Sequence, residues 1–418
     1  MKKTLLFLAA IFVLVSCQDK IQNKYTGCFP VYTDYETFRE PASFLPAKTI
    51  SRNGNIYIKD QYLFVIEPDA GIHFIDNSNP AYPANLGFLN LAGCTGMSIK
   101  DNKLYANSFI DLVIFDIASI TNPVEVSRVN DIFPQALPVM EKNYPMAAEI
   151  DKNKGVVTSW KYEKVTEDVA ASGPPMWSNC PNCMEMGLAT FDMQNSGSAG
   201  TGISGSITRF TIINNFLYVM DYGQLKPFDI SNPLMPVAAA PVYTWREVET
   251  LFPHDGYIFM GTTTGMLIYN TTNPAMPEYV GSINHTNACD PVVVQGNYCY
   301  VTVRTGTTCM GELNQLDVID ITDMTNPTLV KSFEMTNPHG LGIDGNTLFI
   351  CDGKDGLKVF DASNPETCGD NLTATFKDIE ATDIIPYNNT AIVIGKDGIR
   401  QYDYSDPTDL KLLSSFNF

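Results

Sequence analysis

The chain is short of basic residues, of histidine and of tryptophan. Its 418 residues include 27 lysines and arginines against 46 aspartates and glutamates, which gives a formal net charge of −19 at pH 7. A surface with this excess of negative charge repels a phosphate backbone, so nucleic acid is not an expected partner. The same acidity favours solubility and is compatible with binding of divalent cations. With 4 histidines and 3 tryptophans, few positions can supply an imidazole or an indole.

Familiar catalytic motifs are also missing. The sequence contains no GxSxG nucleophile elbow and no HExxH zinc motif. A GxGxxG match at 200–205 precedes a predicted strand at 206–213, whereas a dinucleotide site needs a helix there. The acidic turn at 352–356 lacks the ligand spacing of an EF-hand. We therefore expect no cofactor, with a divalent cation such as Ca²⁺ as the alternative, and a non-enzyme is favoured over an enzyme.

Only the N-terminus carries a long apolar run. Lys2 and Lys3 precede an apolar stretch at 5–14 that is too short to span a membrane permanently. The following LVSC at 14–17 resembles the lipobox of bacterial lipoproteins, which implies a signal peptide at 1–16 and a lipid on Cys17. An ordinary signal with a chance Cys is the alternative. The residue after the Cys is Gln18 and not Asp, so the inner-membrane retention signal of some bacteria is absent. We therefore expect export and anchoring to the outer membrane or cell surface through this lipid.

A nine-residue stretch occurs almost twice in the chain. LKVFDASNP at 357–365 and LKPFDISNP at 225–233 share an alternating apolar run, an Asp and an Asn-Pro turn. This skeleton recurs with Asp or Asn as its anchor. The anchors are Asp76, Asp116, Asp192, Asp229, Asn270, Asp320, Asp361 and Asp403. Most intervals between them are about 40 residues, a period typical of propeller blades and of helical repeats.

The residues between anchors favour the propeller. Residues 340–377 contain four short runs rich in β-branched and aromatic residues, GLGID, NTLFICD, GLKVFD and LTATFK, separated by Gly, Asn and Asp turns. Four strands in each repeat predict an all-β fold, a β-propeller of four-stranded blades. Eight anchors predict eight blades. Because the copy at Asp192 lacks its Pro, seven blades is the alternative. The last unit ends in its own fourth strand, LKLLSSFNF.

Each anchor has a structural role available. Its side-chain oxygen can accept backbone N–H bonds from the next two residues, which forms an Asx-turn before the Pro. LVIFD at 112–116 and LDVID at 316–320, with their Asn-Pro turns, resemble the LVIVD repeat of bacterial cell-surface lipoproteins. The resemblance runs from about residue 54 onward. It implies the repeat fold and an anchored, surface-exposed protein, and it offers no catalytic residues to transfer.

The predicted organisation is a signal peptide at 1–16, a tether and N-terminal cap at 17–45, and a propeller at 46–418 with an insertion at about 140–205. The tether is predicted over 18–25, and a short helix or an irregular cap over 29–42. In propellers the loops between blades gather at the ends of the channel, where ligands bind. Candidate ligand contacts on such loops are Trp160, Trp177, Trp245 and Arg246, with plugging of blade interfaces as the alternative role for the tryptophans.

Cysteines and histidines supply weaker candidates. The CPNC at 180–183 favours a local disulfide between Cys180 and Cys183, because a zinc site needs a second cysteine pair. Cys351 with Cys368, and Cys289 with Cys299, are alternative pairs on sequence proximity. His254, His285 and His339 precede or begin predicted inner strands, so they are metal candidates or structural histidines. Asp255 and Asp290 are their expected acidic neighbours.

The sequence favours an exported, lipid-anchored binding scaffold that presents a loop-rich face to a glycan or a protein at the cell envelope. The alternative is a cation-assisted propeller hydrolase or lyase with a histidine and aspartate site at the mouth of the channel. The two differ in what that mouth contains: an enzyme brings histidines and carboxylates within hydrogen-bond reach, and a binder shows an exposed aromatic or apolar patch.

Overall fold

The computed structural model describes residues 22–52, 54–140, 142–168, 201, 203–204, 208–284, 291–304 and 313–418. These residues belong to two compact units. Unit 1 falls within Met1–Tyr35 and Val139–Cys183, and unit 2 within Glu36–Pro138 and Met184–Phe418. None of the helices in the described ranges is long and apolar enough to cross a membrane.

Unit 1 contains a two-stranded antiparallel ribbon. Strand β1 (Gln22–Thr33) pairs with β11 (Val156–Asp168), with a register shift between Val31 and Tyr32. The tether predicted over 18–25 is therefore wrong for residues 22–25, which are paired strand. The predicted helix or cap at 29–42 is strand as far as Thr33, and a four-residue helix, α1 (Tyr35–Phe38), follows it.

Unit 2 is a seven-bladed β-propeller in which every blade is an antiparallel four-stranded meander. In blade 1 the meander has two additions, β2 (Ser43–Leu45) on its outer strand and β12 (Ile203–Ser204) on its inner strand. In blade 3 the outer strand is split into two short pieces.

The strands of each blade run from the inner to the outer edge in chain order. Blade 1 is β3 (Ile56–Lys59), β4 (Tyr62–Glu67), β5 (Gly71–Asp76) and β6 (Ala84–Asn90); blade 2 is β7 (Met97–Lys100), β8 (Lys103–Ser108), β9 (Asp111–Asp116) and β10 (Val124–Val129). Blade 3 is β13 (Phe210–Ile213), β14 (Phe216–Asp221), β15 (Gln224–Asp229), β16 (Val237–Ala238) and β17 (Val242–Tyr243); blade 4 is β18 (Val248–His254), β19 (Tyr257–Thr262), β20 (Gly265–Asn270) and β21 (Glu278–Asn284). Blade 5 is β22 (Val292–Gln295), β23 (Tyr298–Val303), β24 (Gln315–Asp320) and β25 (Thr328–Glu334); blade 6 is β26 (Leu341–Asp344), β27 (Thr347–Cys351), β28 (Leu357–Asp361) and β29 (Leu372–Phe376). Blade 7 is β30 (Ala381–Tyr387), β31 (Thr390–Gly395), β32 (Gly398–Asp403) and β33 (Lys411–Asn417).

The blade count corrects the first choice of eight and confirms the alternative of seven. Seven of the eight predicted anchors end the third strand of a blade, and the eighth, Asp192, lies outside the described residues. Blade 7 uses its own outer strand, as predicted. It packs directly against blade 1, where Ile56 and Ile58 share an apolar cluster with Ile392 and Ile394.

Local turn chemistry explains why the meander repeats. The anchor side chains of all seven blades accept the backbone N–H two residues later at 2.6–2.9 Å, which confirms the predicted Asx-turns for that residue. The N–H directly after the anchor was also expected to bind it, but it donates to a backbone carbonyl in the hairpin turn between the first two strands. The hairpin between the first two strands turns through a residue in the left-handed region, with φ of 45–58°. Asp, Asn and Gly tolerate that region best. These turn residues are Asp60, Asp101, Asn214, Asp255, Gly296, Gly345 and Asn388.

The core of unit 2 consists of apolar clusters between neighbouring blades. Strand side chains alternate between the two faces of each sheet, and both faces of a blade are covered by its neighbours. Cys351 and Cys368 are buried thiols in clusters on opposite sides of blade 6, so the disulfide suggested between them is not formed. Cys299 is also a buried thiol, and its suggested partner Cys289 lies outside the described residues.

Candidate functional site

The meander divides the loops of unit 2 between two ends. The turns between the first and second strands and between the third and fourth strands lie at one end, here called the turn end. The turns between the second and third strands lie at the other end, together with the connections from one blade to the next. We call this the connection end, and it is where the predicted ligand contacts Trp245 and Arg246 lie.

Trp245 projects into solvent from the connection between blades 3 and 4. Its side chain is 73% exposed, although tryptophan is usually a well-buried residue. Thr244 fixes the backbone on its N-terminal side, since its N–H and its hydroxyl both donate to the carbonyl of Gly223 at 2.9 Å. Thr244 is completely buried. Because Thr244 points inward, its neighbours Tyr243 and Trp245 point outward.

Three tyrosines accompany Trp245. The ring of Tyr279, on the outer strand of blade 4, lies 6.1 Å from the indole with an interplanar angle of 57°. Tyr222 belongs to the turn to which Thr244 is bonded. Tyr222, Tyr243 and Tyr279 are 45%, 63% and 46% exposed. We call these three tyrosines and Trp245 the aromatic surface.

Arg246 lies at the edge of the aromatic surface. Its Nη2 donates to Asn284 Oδ1 at 2.5 Å and its Nη1 to the carbonyl of Thr264 at 3.5 Å. Both acceptors are uncharged, so the guanidinium keeps its full positive charge while its position is fixed. A fixed cation with remaining N–H donors can orient a polar ligand that covers the neighbouring rings.

The other predicted contacts lie in unit 1 or outside the described residues. Trp160 lies in β11 of unit 1, opposite Pro30, and its side chain is half-buried. The remaining predicted site residues lie outside the described part of the chain. These are Cys17, Trp177, Cys180, Cys183 and His285.

The placement predicted for His254 is wrong. His254 ends the inner strand β18 instead of preceding it, so it lies at the turn end of blade 4. There its Nε2 is 3.5 Å from Asp255 Oδ2, and burial lowers its pKa while the Asp255 charge partly opposes that change. His339 precedes the inner strand of blade 6 and lies at the connection end. A strand of seven residues spans about 20 Å, so these two imidazoles cannot share one metal ion.

His339 has surroundings that favour a neutral ring. It is only 7% exposed, and its Nε2 lies 3.1 Å from the amide nitrogen of Asn337. Burial, followed by the positive charges of Arg304 and Lys396, lowers the pKa of His339 to about 3. Such cationic neighbours oppose the binding of a metal cation here. Among the described residues, no group of three or more His, Cys, Asp or Glu is arranged to hold a metal ion.

Sequence reasoning missed the three tyrosines and Arg304. The signal for Tyr243 was present, because it stands two residues before Trp245 in a connection and shares its outward direction. Tyr279 could not have been found from strand alternation, because a register shift separates it from the buried Gly281, two residues later. Arg304 gives no sequence signal, since its burial depends on the packing of blades 5 and 6.

Comparison with known families identifies the repeat. Residues 53–89, 204–244, 287–335 and 339–367 match the model of the LVIVD repeat. The chain carries LVIVD repeats. The four matched stretches correspond to blades 1, 3, 5 and 6. No curated protein matches the sequence.

Several solved structures are similar to this chain. The computationally designed Ika8 protein superposes with a TM-score of 0.50 at 11% identity, over 89% of each chain. BamB from Moraxella catarrhalis gives 0.48 at 10% identity, over 90% of this chain and 91% of its own. Hsv2 from Kluyveromyces lactis gives 0.47 at 12% identity, over 89% and 98%. At 11% identity, the likeness to the designed protein concerns the fold alone.

Proposed function

We propose that the LVIVD propeller is a binding scaffold that holds a carbohydrate chain on its aromatic surface. The observation that carries the proposal is the exposed indole of Trp245, which lies tilted against the ring of Tyr279 and follows the buried Thr244, whose hydrogen bonds fix the backbone. An exposed ring fixed by its backbone is a preorganised contact, so little conformational freedom is lost on binding.

The chemistry of the surface suits sugar rings. The C–H face of a pyranose buries apolar area against an indole or phenol face, and each aromatic side chain can bury 150–250 Å². Phenol hydroxyls and the guanidinium of Arg246 stand at the edges of these rings, where sugar hydroxyls would meet them. The rings are tilted relative to each other by 57°, so neighbouring sugars of a bent chain could each contact one ring.

A protein partner is the competing ligand for this surface. Tyr, Trp and Arg are also the residues that carry most of the binding energy in protein interfaces. The experiment must therefore separate a carbohydrate from a protein.

We further propose that this scaffold acts at the cell envelope, held to a membrane by lipid on Cys17. The lipobox-like LVSC at 14–17 supports this location. Expression of the full-length chain with Cys17→Ser should move the protein from the membrane fraction to the soluble fraction. If the variant remains with the membrane as the native chain does, the lipid anchor is wrong.

Glycan binding can be tested with the purified full-length chain on an array of polysaccharide fragments, followed by calorimetry with the best fragment. Trp245→Ala should weaken binding by about tenfold or more, because loss of a stacked aromatic contact typically costs more than 1 kcal/mol. Tyr82→Ala is the matched control, since Tyr82 is 82% exposed in the turn between the third and fourth strands of blade 1.

The outcomes separate the competing ideas. Equal affinity of Trp245→Ala and Tyr82→Ala would exclude the aromatic surface as the glycan site. In another outcome, the chain binds no fragment but captures a purified envelope protein in a way that depends on Trp245. That result would show that the ligand of the aromatic surface is a protein and not a carbohydrate.

A further inference from the structure

Two nitrogen-bearing side chains, those of Arg304 and His339, face each other across the connection end of blades 5 and 6. The hydroxyl of Thr302, in β23, donates to the backbone carbonyl of His339 at 2.6 Å, so the side chain of Thr302 faces blade 6. Residues two apart in an extended strand leave on the same face. Arg304, two residues after Thr302, therefore extends toward His339.

The proton on His339 can be assigned from its neighbour. The side-chain nitrogen of Asn337 lies 3.1 Å from His339 Nε2, and an amide nitrogen only donates hydrogen bonds. Nε2 of the neutral ring is therefore the acceptor, and the proton is on Nδ1. Nδ1 is buried and has no hydrogen-bond partner among the described residues.

Arg304 has the same deficiency. Its Nε, which always carries a hydrogen, is buried without a hydrogen-bond partner in the described part of the chain. Buried donors are nearly always paired in folded proteins, so each exception calls for an explanation. Here two unpaired N–H groups occur together and both are donors. Only a group that accepts hydrogen bonds can satisfy both.

The charges at this place agree with an acceptor of negative charge. The positive charges of Arg304 and Lys396 both act on His339, and Lys396 is also paired with the carboxylate of Glu380. The carboxylate of Glu249 acts on Arg304. A Cβ on Gly353 would lie 3.1 Å from Asn337 Nδ2, so the glycine leaves space for the contact between Asn337 and His339.

We propose that Arg304 and His339 form a binding site for a small oxyanion, which is a carboxylate, sulfate or phosphate group. Arg304 supplies a charge-assisted hydrogen bond through Nε, and His339 supplies a neutral one through Nδ1. The site belongs to blades 5 and 6, so it is distinct from the aromatic surface on blades 3 and 4 and does not depend on carbohydrate binding there.

The test is calorimetric titration of the full-length chain with inorganic phosphate, sulfate and glucuronate, each at constant ionic strength in NaCl. At least one anion should bind saturably with one site per chain. Arg304→Gln should weaken that binding by about tenfold or more, as expected for loss of a charge-assisted hydrogen bond. Arg209→Gln is the control, since Arg209 is an exposed arginine at the start of blade 3, and it should bind as the native chain does.

The three anions identify the source of the ligand. Preference for glucuronate indicates an acidic sugar, and preference for phosphate or sulfate indicates an inorganic or ester-linked oxyanion. Absence of saturable binding for all three, or equal binding by Arg304→Gln and the native chain, overturns the proposal. If Arg304→Gln fails to fold, ¹⁵N spectra of the native imidazoles decide: the Nδ1 resonance of His339 should move on saturation, and an unmoved resonance overturns the proposal.

Discussion

The side-chain amides of Asn77 and Gln401 hydrogen bond to each other in both directions. Asn77 Nδ2 donates to Gln401 Oε1 at 2.8 Å, and Gln401 Nε2 donates to Asn77 Oδ1 at 2.7 Å, across a separation of 324 residues. Both side chains are buried, and Gln401 is inaccessible to solvent. The pair joins blade 7 to blade 1. It therefore adds a polar, directional contact to the apolar interface that closes the ring.

Removing one amide should destabilise this closure. Gln401→Leu leaves the amide of Asn77 buried without its partner, and an unsatisfied buried polar group costs about 1 to 3 kcal/mol. We expect a loss of that size in the free energy of unfolding of unit 2, measured by urea denaturation. The double variant Asn77→Leu with Gln401→Leu should recover part of the loss, because it leaves neither amide unpaired.

The control for this cycle is Ser78→Ala, which changes an exposed side chain next to Asn77. It should leave the free energy of unfolding within about 0.5 kcal/mol of the native value. A Gln401→Leu variant as stable as Ser78→Ala would show that the amide pair contributes nothing to ring closure.

The stability of the propeller should fall as pH decreases below 6.5 because of His339. Its folded pKa is about 3, and an unfolded histidine has a pKa of about 6.5. Between these values the unfolded chain binds a proton that the folded chain excludes. The stability present above pH 6.5 is therefore lost as pH falls, by up to about 1.4 kcal/mol for each pH unit.

His339→Gln should flatten this dependence in unfolding measured from pH 7 to pH 4.5, in buffers free of phosphate and sulfate. His254→Gln is the comparison, because Asp255 partly offsets the effect of burial on the pKa of His254. It should change the pH dependence less. An unchanged slope in His339→Gln would mean that its imidazole becomes protonated in the folded protein.

The fold could be predicted because its determinants are local and repeated. The turn after Asp361 and the turn after Asp229 each need only a side-chain oxygen and the next few residues, so the same letters mark the same bend in every blade. The number of blades is not local. It depends on whether the copy at Asp192 supplies another blade, and the packing of Ile392 against blade 1 decides that the ring closes at seven.

The candidate site was predictable only in part, for a related reason. Trp245 stands out in the sequence because tryptophan is rare in this chain and lies between two blades. Its partner Tyr279 is 34 residues away, and their contact depends on the packing of blade 3 against blade 4. The expected grouping of histidines failed because it required knowing at which end of an inner strand His254 lies.

The anchor of blade 1 gives a test of the Asx-turn. Asp76 accepts the N–H of Ser78 at 2.9 Å, and this backbone bond lowers the pKa of Asp76. Asp76→Ala should reduce the free energy of unfolding by about 1 kcal/mol through loss of the hydrogen bond. Asp76→Asn should retain most of it, as Asn270 does naturally when it accepts from Thr272 at 2.6 Å.

The response to acid should also distinguish native Asp76 from the Asp76→Asn variant. A carboxylate with a lowered folded pKa contributes stability above its unfolded pKa of about 3.9, and that stability is lost as pH falls through the folded pKa. Asp76→Asn should not lose this contribution, so its thermal midpoint should decrease less than that of the native protein between pH 5 and pH 3. Parallel decreases would show that the carboxylate of Asp76 is not linked to folding.

A buried carboxylate in blade 2 fixes the segment before blade 1. Asp111 is inaccessible to solvent and accepts two hydrogen bonds from Arg39, at 2.9 and 3.1 Å, while Arg128 lies at 3.4 Å. Hydrogen bonding to Asp111 raises the pKa of Arg39. Asp111→Ala should cost about 2 to 4 kcal/mol in unfolding free energy, since it leaves two partly buried cations without their shared partner.

A substitution of Arg39 can separate the effect of its charge on Asp111 from the effect of its planar shape. Arg39→Lys keeps the charge but loses the planar fork that contacts both oxygens of Asp111, so it should still destabilise measurably. Asp131→Asn is the control, because the side chain of Asp131 is 61% exposed and contacts Arg39 through Nη2 alone. Asparagine also tolerates the positive φ of 59° at this position. If Asp111→Ala and Asp131→Asn unfold alike, then Arg39 is held by the packing around it rather than by the buried carboxylate.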